Sequence, residues 1–235
     1  MGKAADCMKQ FVIEGKTISL YPGGRKNSPI VYLNTCAGEG GQVYQALQDS
    51  GCRDVTLAVI NGLDWHHDMS PWEVSPVSEK DIPCTAGADD FLRILTEKIV
   101  PEVEGELAKE ALWRGLAGYS LAGLFAFYTL YRTDFFSRIA SVSGSLWFPG
   151  FQEYVFSHEM RRKPDRLYLS LGDRECRTGH PYLKTVQERT EQIAAFCRSR
   201  DMDMVLQMNP GNHFKHSVQR TAAGIVWLAG AGAKE

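Results

Sequence analysis

Short runs of aliphatic and β-branched residues recur along almost the whole chain, and between them lie segments whose apolar residues repeat at helical spacing. This alternation limits the fold more than any single motif does. Strands separated by helical crossovers pair in parallel, and a sheet so built is covered by the helices that connect it. The buried strands predicted on this basis are Ile30 to Asn34, Val55 to Ile60, Leu112 to Ala117, Ile139 to Val142, Arg166 to Leu171 and Met204 to Met208. Between them the pattern predicts a short helix ending near Gly51, one running from Ala88 through Val103, and others over Leu121 to Tyr131, Tyr182 to Arg200 and Ser217 to Ala229. Pro101 is expected to kink or stop the second of these, since it has no N–H to donate. Ahead of the first buried strand, Phe11 to Ile13 and Thr17 to Tyr21 look like an antiparallel hairpin. No repeat, low-complexity tract or linker divides the 235 residues. The expectation is one α/β domain over residues 1–235: a mostly parallel twisted sheet, helices on both faces, and an N-terminal antiparallel hairpin.

Charge and cysteine usage narrow the function classes. Twenty-six basic residues against twenty-eight acidic ones leave a formal charge of -2, so no excess positive field is available to hold a phosphate backbone. Nucleic acid is therefore not an expected partner. No stretch approaches the roughly 18 to 20 apolar residues of a membrane span. Met1 to Gln10 has no apolar core of the kind that marks a secretory signal, and Asp6 stands where a myristoylation signal needs Ser or Thr. These absences favour a cytoplasmic protein without membrane attachment. The six cysteines, at 7, 36, 52, 84, 176 and 197, form no C-x-x-C pair. Reduced thiols are expected, and no structural zinc. His66 and His67 are adjacent but lack ligand spacing, so neither a metal nor another cofactor is expected. The long segment Asn61 to Gly87 carries Trp65, Pro71, Trp72 and Pro76. It is expected to be irregular but packed, and long structured loops tend to carry function.

The chemistry centres on Gly118-Tyr119-Ser120-Leu121-Ala122-Gly123, where a predicted strand passes through a serine directly into a predicted helix. This is the G-x-S-x-G elbow with alanine at its second glycine position. So tight a turn requires small neighbours two residues to either side of the serine, and Gly118 and Ala122 satisfy that. Serine is also a common N-cap, and capping alone would explain its place. Order along the chain adds weight, because an α/β-hydrolase needs an acid and then a histidine after later strands. Gly172-Asp173-Arg174-Glu175 follows the fifth buried strand, and Asn209-Pro210-Gly211-Asn212-His213 follows the sixth. A neutral imidazole at 213 can accept the Ser120 proton and later return it to a leaving group. His216 is its rival but lies closer to the start of the closing helix. Of the acids, Asp173 suits a turn, whereas Glu175 reaches further and is the better partner for His213. An oxyanion would be met by the Leu121 N–H at the helix N-terminus and by the backbone of Thr35 or Cys36 after the first buried strand.

Taken together, Gly118 to Gly123, Ser141-Val142-Ser143-Gly144-Ser145, Gly172 to Glu175 and Pro210-Gly211-Asn212-His213 resemble the putative esterase family of the α/β-hydrolase superfamily, which includes esterase D-like and enterochelin-esterase-like proteins. The likeness runs from about Ile30 to Leu228 and departs from the usual motif at Ala122. It implies a single-domain α/β-hydrolase fold with Ser120 as nucleophile, His213 as base and Glu175 as acid. Leu63 to Trp72 resembles a loop that borders the catalytic pocket in such proteins, which makes Trp65 and Trp72 candidate walls for substrate and Asp68 a candidate polar contact. The function expected is hydrolysis of a small-molecule carboxylic ester through an acyl-enzyme on Ser120. An acyltransferase sharing that intermediate and a non-catalytic ligand-binding protein of the same fold are the alternatives. Small acyl esters, thioesters, sugar-linked esters and siderophore lactones all remain open as substrates, and so does the oligomeric state.

Overall fold

The computed structural model describes residues 9–77, 79 and 81–230; Gly2, Asp6 and Cys7 lie outside that range. Strands β1 (Lys9–Ile13) and β2 (Lys16–Tyr21) form the N-terminal hairpin, turned at Glu14 and Gly15, which both have positive φ. Next come β3 (Ile30–Asn34), β4 (Thr56–Asn61), β7 (Arg114–Tyr119), β8 (Arg138–Val142), β9 (Arg166–Gly172) and β10 (Met204–Asn209). The eight strands make one sheet in the order β1-β2-β4-β3-β7-β8-β9-β10. From β4 to β10 every pairing is parallel, and only the hairpin runs antiparallel, β2 lying against β4. All five residues of β3 are buried, as are five of the six in β4. Covered on both faces, such strands appear in the sequence as continuous apolar runs rather than as alternation.

Each face of the sheet has its own core. On one face, α5 (Leu121–Arg132) is buried at every position from Leu121 to Tyr131, and Phe125 and Phe127 are completely enclosed. That enclosure explains why its sequence is apolar nearly all round. Burial of each phenyl ring contributes on the order of 2 to 3 kcal/mol. On the opposite face, α1 (Gly40–Asp49) packs with α8 (Ser217–Ala229), and Ile225 and Leu228 of α8 join Val31, Leu33 and Val59 of the sheet. Among the described residues no helix is long and apolar enough to cross a membrane. The cysteines at 36, 52, 84, 176 and 197 are free thiols.

Three local expectations require correction. Pro101 does not end its helix: α3 (Ala88–Ile94) runs through a π-helical turn, Leu95–Ile99, into α4 (Val100–Gly105). The wider turn falls just before the proline, where an i→i+5 pattern accommodates a residue that cannot donate. Segment 61–87 is not wholly irregular, since it contains the one-turn helix α2 (Trp65–Asp68) and a short antiparallel ladder of β5 (Glu73–Val74) with β6 (Cys84–Thr85). Tryptophan and proline there argue against long elements but leave room for these short ones. Helix α6 (Phe151–Ser157) gave no usable signal, being only two turns long. Helix α7 (Val186–Ser199) starts after a 3₁₀ turn at Leu183–Thr185, later than its periodicity suggests.

Candidate active site

Ser120 occupies the step between β7 and α5 with φ 60° and ψ -122°, a backbone conformation that a residue with a side chain adopts only when its surroundings enforce it. Three backbone hydrogen bonds do so. The Ser120 N–H donates to Val142 O at 3.1 Å, while Ser120 O accepts from Leu124 N at 3.0 Å and from Ser145 N at 3.0 Å. The small neighbours are required by contact. A Cβ on Gly118 would fall 2.4 Å from the carbonyl carbon and oxygen of Ala122, and one on Gly123 would fall 2.9 Å from Gly144 Cα. Ala122 itself is fully buried and fits without difficulty, so the departure from the glycine consensus leaves the elbow intact.

The carboxyl ends of β7, β9 and β10 bring the other two candidates to this serine. His213 Nε2 lies 3.1 Å from Ser120 Oγ, and His213 Nδ1 lies 2.7 Å from Glu175 Oε2. The His213 loop is fixed at several points. Tyr119 Oη donates to His213 O at 2.6 Å, Gly211 takes φ 108°, and the Gly211 N–H donates to Asp173 Oδ1 at 2.7 Å. Asp173 therefore ties the β9 loop to the β10 loop, and it is Glu175 that meets the imidazole. His216 is exposed, holds a left-handed conformation before α8, and takes no part in this chain of contacts.

Glu175 is almost enclosed, with 4% of its side chain exposed. Burial alone would raise its pKa, but the hydrogen bond and charge of His213 and the Gly172 N–H, 2.6 Å from Oε1, together hold the carboxyl below its usual range. A buried cation stands behind it. Arg220 of α8, 3% exposed, donates through one guanidinium nitrogen to Glu175 Oε1 (3.2 Å), Ser143 Oγ (3.2 Å) and Tyr119 Oη (3.3 Å), and through the other to Pro210 O (3.1 Å). The sequence reading missed this residue. Its signal was a charged side chain within the apolar pattern of a helix, where an unpaired charge would be very costly.

The oxyanion candidates separate on backbone bonding. The Thr35 N–H donates to Ile60 O at 3.0 Å, and its hydroxyl donates to the same carbonyl at 3.1 Å. The Cys36 N–H has no hydrogen-bond partner among the described residues, and neither has the Leu121 N–H in the first turn of α5. The Cys36 thiol is pushed up by burial and by Glu39, which argues against a reactive thiolate.

A cleft of about 490 Å³ opens over Ser120 and Leu121. Trp65 lines it, as the loop resemblance implies. Asp68 and Trp72 do not, and these two expectations are corrected. The Asp68 carboxylate is buried, pairs with Lys16 and accepts from the Asp64 N–H at 2.9 Å, closing its own helical turn. Trp72 is packed among Tyr128, Phe148, Phe151 and Tyr154 and donates its indole N–H to Pro149 O at 2.8 Å. Trp147, Phe148 and His180 line the cleft in their place; a tryptophan or phenylalanine in an apolar stretch gives no sequence sign of which cavity it faces.

A mostly parallel sheet with a serine at a strand-to-helix elbow is the architecture of the α/β-hydrolases. The family described as "Putative esterase" matches residues 24–227, and the chain belongs to that family. The uncharacterized protein YbbA of Bacillus subtilis (strain 168) is 21% identical over 218 residues, covering 86% of both chains. Among solved structures, an IroE-like serine hydrolase from Shewanella oneidensis superposes with a TM-score of 0.78 at 18% identity, over 97% of this chain and 81% of its own. The siderophore hydrolase EstA from Aspergillus nidulans gives 0.70 at 19% identity, over 97% and 95%.

Proposed function

We propose that the chain hydrolyses a carboxylic ester through an acyl-enzyme on Ser120, with His213 as general base and Glu175 as the acid that orients it. The observation that carries this reading is the unbroken run from Ser120 Oγ to His213 at 3.1 Å and on to Glu175 at 2.7 Å. With Nδ1–H donated to the carboxylate, Nε2 presents its lone pair to the serine hydroxyl. As Oγ attacks the ester carbonyl carbon, its proton passes to Nε2 and negative charge develops on the carbonyl oxygen. The free N–H groups of Leu121 and Cys36 are the donors for that charge, each worth about 10² to 10³ in rate if this hole behaves as others do. His213 then protonates the departing alkoxide. Water, deprotonated by the same imidazole, attacks the acyl carbon and releases Ser120.

Low net charge and a cleft whose described lining residues include Asp81 but no lysine or arginine favour a small-molecule ester over a polyanion or nucleic acid. A fluorophosphonate probe followed by intact-mass measurement tests the nucleophile. One adduct is expected on the wild type and none on Ser120→Ala. Labelling of both to the same extent would move the nucleophile elsewhere, and labelling of neither would favour a ligand-binding role.

A further inference from the structure

Among the described residues six large apolar side chains are exposed, and three of them, Val77, Ile82 and Phe214, stand at this one cleft. They come from separate parts of the chain: Val77 and Ile82 from the turn joining β5 to β6, and Phe214 from the residue after His213. Phe214 is 86% exposed and meets the imidazole edge-on, with ring centroids 5.3 Å apart. Isolated surface apolar residues need no explanation, but a cluster at the mouth of a cleft marks a binding surface. Within the cleft, Trp65 and Trp147 continue the same apolar surface inward.

The charge on these walls is equally informative. No lysine or arginine is among the described lining residues, whose ionisable side chains apart from the Cys84 thiol and the Tyr182 phenol are Asp81, His66 and His180. Burial pushes the His66 pKa down, which favours its neutral form. The His180 Nε2 lies 3.5 Å from Asp81, while its Nδ1 accepts from the Tyr182 and Leu183 N–H groups, so the two loops flanking the cleft meet there. Cys84 is held as the neutral thiol by burial. Among the described lining residues none is a lysine or arginine that would receive a substrate carboxylate, while Asp81 presents one of its own.

We infer that the cleft selects uncharged esters whose apolar group extends to the mouth and lies against Phe214, with Phe214 as a specificity-determining residue. This rests on the serine esterase reading above and deepens it. Covering one face of a phenyl group and the Phe214 ring removes enough apolar area from water to alter relative affinity on the order of ten-fold. The group disfavoured is an anion of similar size, which loses hydration on entry and meets the Asp81 side chain among the described lining residues.

The test compares ethyl 3-phenylpropanoate and 2-phenylethyl acetate, which place the phenyl on the acyl and alcohol sides, with the same esters carrying a carboxylate in place of the phenyl. Ethyl acetate is the reference, and proton release gives the rate. One phenyl ester should exceed ethyl acetate in kcat/KM by about ten-fold or more, and both carboxylate esters should fall below their phenyl partners by at least as much. Phe214→Ala should raise KM for the preferred phenyl ester about ten-fold with little change in kcat, and Phe214→Tyr should restore it. Carboxylate esters turned over as well as phenyl esters would overturn the inference. So would a Phe214→Ala loss that falls on kcat equally for ethyl acetate, since that would make Phe214 a support for His213. If Ser120 takes a fluorophosphonate but the phenyl esters gain nothing, this inference fails and the nucleophile stands; if Ser120 neither labels nor cleaves any ester, the earlier reading fails.

Discussion

Replacing Arg220 with methionine should damage stability and turnover together, because one guanidinium secures both loops that carry His213 and Glu175. In the wild type, Arg220 bonds Glu175 Oε1 at 3.2 Å and Pro210 O at 3.1 Å while nearly inaccessible to water. Methionine has comparable length and packs well, so the change removes charge and hydrogen bonds more than volume. Removing one partner of a buried ion pair costs about 3 to 5 kcal/mol, since the other charge stays behind without compensation. Glu175 retains the Gly172 N–H at 2.6 Å and His213 at 2.7 Å, which places the expected loss near the lower bound, about 3 kcal/mol. Turnover should fall by about 10², the scale associated with a displacement of roughly 1 Å in a catalytic constellation. Urea denaturation gives the first quantity, and kcat/KM on a fixed ester the second. Arg220→Lys should recover part of the stability but little of the rate, because a single ammonium cannot span both loops. A loss under about 1 kcal/mol with kcat/KM within two-fold of wild type would refute the argument that this cation organises the site. A full stability loss with unchanged kcat would make Arg220 a packing residue only.

Two further outcomes test the proposed triad. His213→Ala should lower kcat by about 10⁴ to 10⁶, as removal of triad members does elsewhere, while His216→Asn, which tolerates the left-handed backbone there, should stay within about three-fold; equal losses in an ester assay would leave the base unassigned. Glu175→Gln should lower kcat by roughly 10² to 10⁴ and should also change the acid dependence of stability. The folded-state pKa of Glu175 lies below its ordinary value, so its carboxylate contributes stability that is complete above about pH 4.3 and disappears as pH falls through the lower folded value. The gap in urea midpoint between wild type and Glu175→Gln should therefore close in strong acid as the carboxylate protonates; a gap undiminished there would contradict this sign.

Much of the architecture was legible because its elements are fully buried. Ile30 to Asn34 was read with the same boundaries the structure shows, since a strand enclosed on both faces is a continuous apolar run ended by polar residues. Helix α5 was legible for a related reason, with every residue from Leu121 to Tyr131 buried. Pattern failed where length was short or where one residue broke a local rule. Helices α2 and α6 span one and two turns and cannot establish a period, and Pro101 was tolerated by a π turn that no periodicity signals.

The site divides along a different line. Ser120 was legible because a strained backbone needs small neighbours, and that requirement is written locally as Gly118 and Ala122. His213 was legible because Pro210 and Gly211 force a turn at the end of a strand. Glu175 is preferred to Asp173 in the proposed triad for its reach: Asp173 turns to the Gly211 N–H on the neighbouring loop, and the longer side chain lies 2.7 Å from the imidazole. The residues missed, Arg220 and Trp147, lie behind the acid and along the cleft wall, brought there by elements distant in the chain. Arg220 meets Glu175 across 45 positions and Tyr119 across 101. A local motif can specify the backbone that bears a nucleophile. The groups that hold its partners in place are specified only by the packing of whole elements against one another, and for Arg220 the one trace left in sequence is a charge placed where an isolated charge could not survive.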